Sequence, residues 1–521
     1  MSRSRAAAVS TVKTPVRPDQ QGKIAGLAVV VMAAGLGKRM RSKQAKVLHP
    51  VAGQAMVLYS VELGLSVAGD RVAVVVGHQA DLVRQVIDRA MSGRSGGASV
   101  ALVEQLEQLG TGHAVLQSRS AFAVGKRGAP SSYLILNGDM PLLQEATVRN
   151  LLRVHEAERA TVTILTAVLE DASGYGRVVR AHGGGGVSRI VEDCDANAEE
   201  QAVREINVGT YVVDGEFLFS TLEKLDPHNA QGEYYLTDII HLAGHSGRRV
   251  AAVVLDDPDE GLGVNTRRQL AEAEQVMRKR VRDRWLEAGV TIIDPASTWI
   301  DATVTIGKDT VLYPNVTLEG TTVIGEDCVL RSNTRVTNCI VGNGVEILDH
   351  CLLADSHIED DAHLGPFVHL RPGVVVRKKA KVGNFVEMKK TDLGEGSKAN
   401  HMSYLGDAKI GKGVNIGAGT ITCNYDGMRK FQTVIGDGVF LGSDTQLIAP
   451  VTVGAGALIA AGTTVTEDVP ADALAIARVP QVNRAGWAAR RRALATQAQV
   501  SQVSSSKPTK RPVKNQPKKG R

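Results

Sequence analysis

The feature that most narrows the fold of this 521-residue chain is a period of six in its second half. After Asp294, aliphatic residues recur at every sixth position: Ile306, Leu312, Leu318, Ile324, Leu330 and Val336. A second series, shifted in phase, runs Leu352, Ile358, Leu364, Leu370, Val376, Val382 and Met388, and a third runs Ile435, Leu441, Leu447, Val453, Ile459 and Val465. Gly often follows the aliphatic position, as in Ile306-Gly307 and Val382-Gly383. Such a period describes a coil of short flat strands, each sending one aliphatic side chain inward, and hexapeptide repeats are the mark of a parallel β-helix. The series breaks between Cys423 and Thr433, where Asn424-Tyr425-Asp426-Gly427 and a basic stretch must loop out of the coil. Loops on a rigid scaffold are where function gathers.

The first half follows a different rule. Leu27–Met32, Val72–Val76, Val100–Val103, Tyr133–Leu136 and Val162–Val168 read as strands. Met56–Val67, Asp81–Met91, Gly112–Phe122 and Glu145–His155 read as the helices between them. This alternation predicts a mostly parallel α/β sheet covered on both faces, with ligands at the carboxyl ends of its strands. Residues 266–288, free of Pro and rich in Arg, Glu, Ala and Leu, read as a linker helix. The expected organisation is a disordered extension over 1–23, an α/β domain over 24–265, the linker, a β-helix over 289–487, and a basic disordered tail over 488–521.

Charge and cysteine usage exclude several classes. The net charge of +6 is misleading, because residues 488–521 hold ten Lys or Arg and no acid while 1–23 carry +4, which leaves the body at −8. An acidic body argues against a nucleic-acid-binding fold, and the tail offers no aromatic platform. Five cysteines without a C-x-x-C spacing form neither a disulfide framework nor a zinc cage. No apolar run reaches the ~18 residues of a membrane span, and the N-terminus lacks the apolar core of a secretory signal, so a cytoplasmic protein without a membrane partner is expected.

Two stretches of the first half carry chemistry. The first strand ends in Ala33-Ala34-Gly35-Leu36-Gly37-Lys38-Arg39-Met40, with Lys46 beyond it. Glycines after a strand let backbone N–H groups approach an anion, and Arg39 and Lys46 add positive charge for a polyphosphate. Met40 stands where the dinucleotide fingerprint needs Gly, and Arg39 where a Walker A loop needs Ser or Thr, so neither motif is present. Asp139, in Asn137-Gly138-Asp139-Met140-Pro141 at the end of a buried strand, is placed either to hold Mg²⁺ or to cap the next helix. Gln105 and the Gln108–Gly112 segment offer amide and hydroxyl groups to read a pyrimidine edge.

Taken together, Ala33–Met40, Lys46-Val47-Leu48-His49, Gln108–Gly112, Gly174–Arg177, Glu233–Asp238 and Gly263–Asn265 closely resemble the bacterial bifunctional UDP-N-acetylglucosamine pyrophosphorylase/glucosamine-1-phosphate N-acetyltransferases. The second half is more similar still, through Leu370–Gly373, Val382–Lys390, His401–Asp407, Asn415–Gly427, Gly442–Gln446 and Ala475–Pro480. The likeness covers roughly 26–487. It implies a Rossmann-like nucleotidyltransferase domain followed by a left-handed β-helix, the hand being one that the usual right-handed crossover preference would not suggest.

Carried over by position, the resemblance implies that Met32, Ala33, Ala34, Gly35, Lys46, Gln105, Gly110, Thr111, Asn137, Gly138, Gly176, Glu192 and Asn207 contact the UDP-sugar. Asp139 and Asn265 would hold Mg²⁺. Arg371, Lys389 and Tyr404 would grip the sugar phosphate, with Asn415 close to the amino sugar. Ala418, Asn424, Tyr425, Ser443, Ala461 and Arg478 would line the acetyl-CoA region, and His401 would be the general base. Asn137 stands where members have Tyr, and Met32 replaces Leu.

The implied activities are N-acetylation of glucosamine-1-phosphate from acetyl-CoA, then uridylyl transfer from UTP to the product with release of pyrophosphate, in peptidoglycan precursor synthesis. A homotrimer is expected, with the Asn424–Thr433 loop at a subunit boundary. Two alternatives compete: a single-function nucleotidyltransferase with a structural β-helix, and a nucleic-acid-binding scaffold served by the basic tail. A lone His401 capping a turn would fit the first.

Overall fold

The computed structural model describes residues 22–92, 100–122, 129–181, 186–505 and 520. The expectations for 1–21 and for the tail beyond 505, Gly520 apart, lie outside the described residues.

Eleven strands belong to the first half: β1 (Leu27–Ala33), β2 (Pro50–Val51), β3 (Gln54–Ala55), β4 (Val72–Val76), β5 (Val100–Glu104), β6 (Ser132–Asn137), β7 (Val162–Val168), β8 (Arg177–Arg180), β9 (Val187–Val191), β10 (Glu205–Asp214) and β11 (Val250–Val254). The main sheet runs β11-β7-β10-β6-β1-β4-β5, and β8 and β9 extend from β10. β1 pairs in parallel with β4 and β6, whereas β10 runs antiparallel to both β6 and β7. Along β1, Leu27, Val29 and Val31 enter one core and Ala28 and Val30 the other. Burial on both faces explains why the strand reads as a continuous apolar run. The helix expected over Gly112–Phe122 is two pieces, Thr111–Gln117 and Arg119–Phe122.

The linker helix, Arg267–Glu287, opens on a capping box in which Thr266 and Gln269 bond each other's backbone N–H. Its buried face (Ala273, Met277, Val281, Trp285) is continuous with the β-helix interior, and the β2–β3 hairpin is joined to the same core through Val51 and Ala52. Ala52 docks on both sides: its N–H donates to Glu274 at 2.6 Å, and its carbonyl accepts from Ala302 N–H at 2.8 Å.

Beyond the linker, parallel strands of two to four residues stack into three faces of eleven, ten and nine strands, the left-handed β-helix expected from the hexapeptides. The first face starts at Thr291–Ile292, the second at Trp299–Ile300 and the third at Trp299's successor strand, Thr305–Ile306. One reading of the repeat is corrected: Leu352 is 42% exposed and the inward residue is Leu353 at 0%. The cause is a five-residue step. Leu353 is followed inward by Ile358, so Ile358 pairs with Val341 after 17 residues where Val336 pairs with Leu318 after 18. The corner between the first and second faces takes left-handed backbone on successive coils, at His350 (φ 61), Phe367 (φ 56), Phe385 (φ 56) and Met402 (φ 43). The three rings stack there, with centroids 4.9 and 5.1 Å apart.

A second correction concerns the tail. Trp487–Ser505 form a helix, through which the described side chains are exposed. Its Ala, Arg and Gln content favours helix without any face to bury. Among the described residues no helix is long and apolar enough to cross a membrane.

Candidate functional site

The first site is a cavity of about 560 Å³ at the carboxyl ends of β1 and β6, closed on one side by the start of the Thr111–Gln117 helix. It brings together Met32, Ala33, Ala34, Gly35, Lys46, Gln105, Gly110, Thr111, Asn137 and Asp139, as expected from sequence. Lys38 and Glu233 also line it. Both fell within motifs quoted above, but nothing in their spacing set them apart. Arg39 is exposed on the short turn beside Lys38 and is not among the lining residues.

Lys46 is the organising charge. Its ammonium is ion-paired with Asp139 and donates to Asn265 Oδ1 at 2.8 Å. The helix after Asp139 is capped at Gln144, so Asp139 does not serve as its cap. Two side-chain oxygens thus converge on one cation-sized point, with Lys46 occupying it. That donor set fits Mg²⁺, which takes its remaining ligands from phosphates and water. Among the described residues no group of three His, Cys, Asp or Glu side chains could hold a metal by itself.

Gln79, which sequence reasoning passed over, positions the Lys46 segment. It sits at φ 56 after β4, accepts from Ala45 N–H at 2.7 Å and donates to the Lys43 carbonyl at 2.6 Å. Gly110 (φ 109) is required where it stands, because a Cβ there would lie 2.7 Å from the Tyr234 carbonyl. Leu236 N–H donates to Thr111 Oγ1 at 3.0 Å, which ties the Tyr234–Leu236 segment to the cavity wall.

Gly138, Gly176, Glu192, Asn207 and Asn265 are not among the lining residues. Gly138 N–H bonds the Met32 carbonyl at 2.9 Å, and the Gly176 carbonyl accepts from Asn207 N–H at 2.8 Å. Glu192 accepts from Thr237 Oγ1 at 3.1 Å; burial, with nearby Asp195, Asp238 and Glu233, holds its carboxyl above the usual range. Asn137 Nδ2 donates to the Gly209 carbonyl at 3.2 Å, bridging β6 to β10.

The second site lies on the β-helix. Arg371, Lys389 and Tyr404 belong to successive coils of the second face, and Arg371 donates to Glu387 at 2.8 Å. The Lys430 ammonium stands within hydrogen-bonding reach of Lys389, and with the Arg371 guanidinium it pushes the Lys389 ammonium below its ordinary range. Three cations within electrostatic reach of one another are an arrangement that suits an anion. Lys430 was visible beforehand only as part of a basic stretch. It is held by an ordered loop: Tyr425 bridges Lys430, Asp426 caps Met428 and Arg429, and Asn424 bonds Asp407.

His401 ends a strand of the first face, is exposed, and lies beside Asn384 of the coil before. Among the described residues its ring has no hydrogen-bond partner, so it does not cap a turn. Ala418, Ser443, Ala461 and Arg478 continue along the same corner: Asp444 N–H bonds the Ala418 carbonyl at 2.7 Å, Gly462 N–H bonds that of Ser443 at 2.8 Å, and Arg478 bonds that of Ala461. Asn415 lies on the first face, away from the face of Arg371, Lys389 and Tyr404.

Comparison with known proteins agrees with both halves. Residues 28–301 match the nucleotidyl transferase family, and 303–338 and 432–467 match the bacterial transferase hexapeptide (six repeats). The chain is 50% identical over 465 residues to the bifunctional protein GlmU of Trichlorobacter lovleyi, covering 89% of this chain and 98% of that one. It is 48% identical over 461 residues to the bifunctional protein GlmU of Pelobacter propionicus, covering 88% and 98%.

Proposed function

Because the chain belongs to the GlmU family of bifunctional proteins, we propose a division of labour between its two domains, residue by residue. The protein is a bifunctional enzyme: it acetylates glucosamine-1-phosphate from acetyl-CoA and transfers uridylyl from UTP to the resulting N-acetylglucosamine-1-phosphate. What carries the residue assignment is the presence of two separate anion sites on one chain, the Lys46 cavity and the Arg371–Lys389–Lys430 cluster.

In the α/β domain, a sugar-phosphate oxygen forms a bond to the α-phosphorus of UTP as the bond from that phosphorus to the β-phosphate oxygen breaks. Lys46 and Lys38 balance the anionic groups and the Gly35–Gly37 turn gives them room, so the protein's task is in-line positioning. Asp139 and Asn265 would hold Mg²⁺, which when bound would neutralise polyphosphate charge.

In the β-helix, Arg371, Lys389 and Lys430 hold the sugar phosphate. The amine nitrogen attacks the thioester carbonyl and the thiolate leaves, while His401 takes the amine proton. Its ring, exposed and without a hydrogen-bond partner among the described residues, is open to receive that proton. A homotrimer, with which the hexapeptide repeats are compatible, would let a second copy complete each site. Work in the cytoplasm on cell-wall precursors fits both reactions.

Glucosamine-1-phosphate, acetyl-CoA, UTP and Mg²⁺ supplied together test this reading. UDP-N-acetylglucosamine by mass with equimolar free thiol is the expected result. UDP-sugar formed only from pre-acetylated substrate would reduce the β-helix to a scaffold, and a monomer by light scattering would remove the trimer.

A further inference from the structure

The wall of the nucleotide cavity contains an amide whose orientation is fixed by its neighbours. Gln105 is 4% exposed, so its amide has little freedom to serve solvent. Its Nε2 lies 3.1 Å from the Gly110 carbonyl and 3.0 Å from His113 Nδ1. A carbonyl only accepts, so the amide atom facing Gly110 must be the NH₂ group. The second hydrogen of that group then points at His113 Nδ1, which must be the unprotonated ring nitrogen. The ring proton therefore sits on Nε2, 2.9 Å from the Gln117 amide nitrogen, and the Gln117 amide turns to meet that proton with its oxygen. Both hydrogens of the Gln105 amide are thus spoken for, and its Oε1, with no partner among the described residues, opens to the cavity that Gln105 lines.

We infer that His113 is a specificity-determining residue of the uridylyl head: by locking the Gln105 amide, it presents an acceptor to the base and selects a pyrimidine that carries a ring N–H. Uracil has that hydrogen on N3, whereas N3 of cytosine is an acceptor and meets the Gln105 oxygen with repulsion. Without the His113 acceptor one of the two bonds that hold the amide is lost, and only the bond to the Gly110 carbonyl opposes its turning to offer NH₂ to cytosine N3. A site built to bond one donor pattern rejects the other because its own polar group is left unpaired. The inference rests on the reading of the cavity as the nucleotide site, with Gln105 facing the base.

The test is the ratio of kcat/KM for UTP to that for CTP with N-acetylglucosamine-1-phosphate, measured for the full-length protein and three variants. The ratio is internal to each preparation, so inactive protein cancels, and acetyl transfer by the same sample reports folding. His113→Leu lowers the ratio by about tenfold or more, the scale on which a misplaced polar group relaxes selectivity. His113→Asn, whose Oδ1 replaces the Nδ1 acceptor, keeps it near wild type. Gln105→Ala lowers it as well. A ratio unchanged in His113→Leu but reduced in Gln105→Ala overturns the role of His113 alone. A ratio unchanged in Gln105→Ala overturns the base-reading assignment, and equal relaxation by His113→Asn and His113→Leu overturns the acceptor argument.

Discussion

Lys46 Nζ donates to the side-chain oxygen of Asn265 at 2.8 Å, across 219 positions of sequence. The same ammonium is ion-paired with Asp139, so the carboxylate, the amide oxygen and the lysine form one charge centre at the mouth of the sheet.

Removing the single carboxylate from that centre separates the two activities. Asp139→Ala is expected to abolish UDP-sugar formation, because the proposed Mg²⁺ site loses its charged protein ligand, and to leave acetyl transfer unchanged. Pyrophosphorolysis by Asp139→Ala at ordinary Mg²⁺ concentrations would refute the assignment.

The five-residue step in the β-helix makes a sharp prediction about neighbours. Leu353 is 0% exposed and Leu352 is 42% exposed. Leu353→Ala is expected to cost about 2–5 kcal/mol in denaturant unfolding, and Leu352→Ala less than about 1 kcal/mol. Equal losses would mean that the phase slip is misplaced.

That pair also shows what the sequence could and could not reveal. Period six made the β-helix legible from its aliphatic residues alone, because each inward position is buried regardless of what surrounds it. The slip to Leu353 was hidden because Leu352 is equally apolar. Lys46, Asp139 and Asn265 converge only after the chain folds, and family resemblance rather than spacing grouped them. Lys430 and Gln79 act through contacts made across loops, which no local pattern encodes. The exposed helix at Trp487–Ser505 was missed because an absence of apolar periodicity excludes packing but not helix.

Acid should weaken the α/β domain. Burial depresses the pKa of His49, with Arg267 adding to the effect, and burial likewise depresses that of His155. Both protonate less readily in the folded protein than when unfolded. Their stabilising contribution is present above the ordinary histidine value of about 6.5 and is lost as pH falls below it. The melting temperature should fall between pH 7 and pH 5, and His155→Gln should flatten that fall. An identical pH slope in the variant would exclude His155 as a contributor.

Loss of the base should silence only the β-helix. His401→Ala is expected to lower acetyl transfer by about 10²–10⁴-fold, with uridylyl transfer to preformed N-acetylglucosamine-1-phosphate near wild type. Acetylation within a few-fold of wild type from pH 6 to pH 9 would make His401 structural.

The claim that two independent sites act in sequence is tested most directly by mixing the separately purified Asp139→Ala and His401→Ala proteins with glucosamine-1-phosphate, acetyl-CoA, UTP and Mg²⁺. Neither variant alone should form appreciable UDP-N-acetylglucosamine, and the mixture should form it after a lag while the acetylated intermediate passes through solution. A mixture as silent as its parts, beside an active wild-type control, would contradict the account.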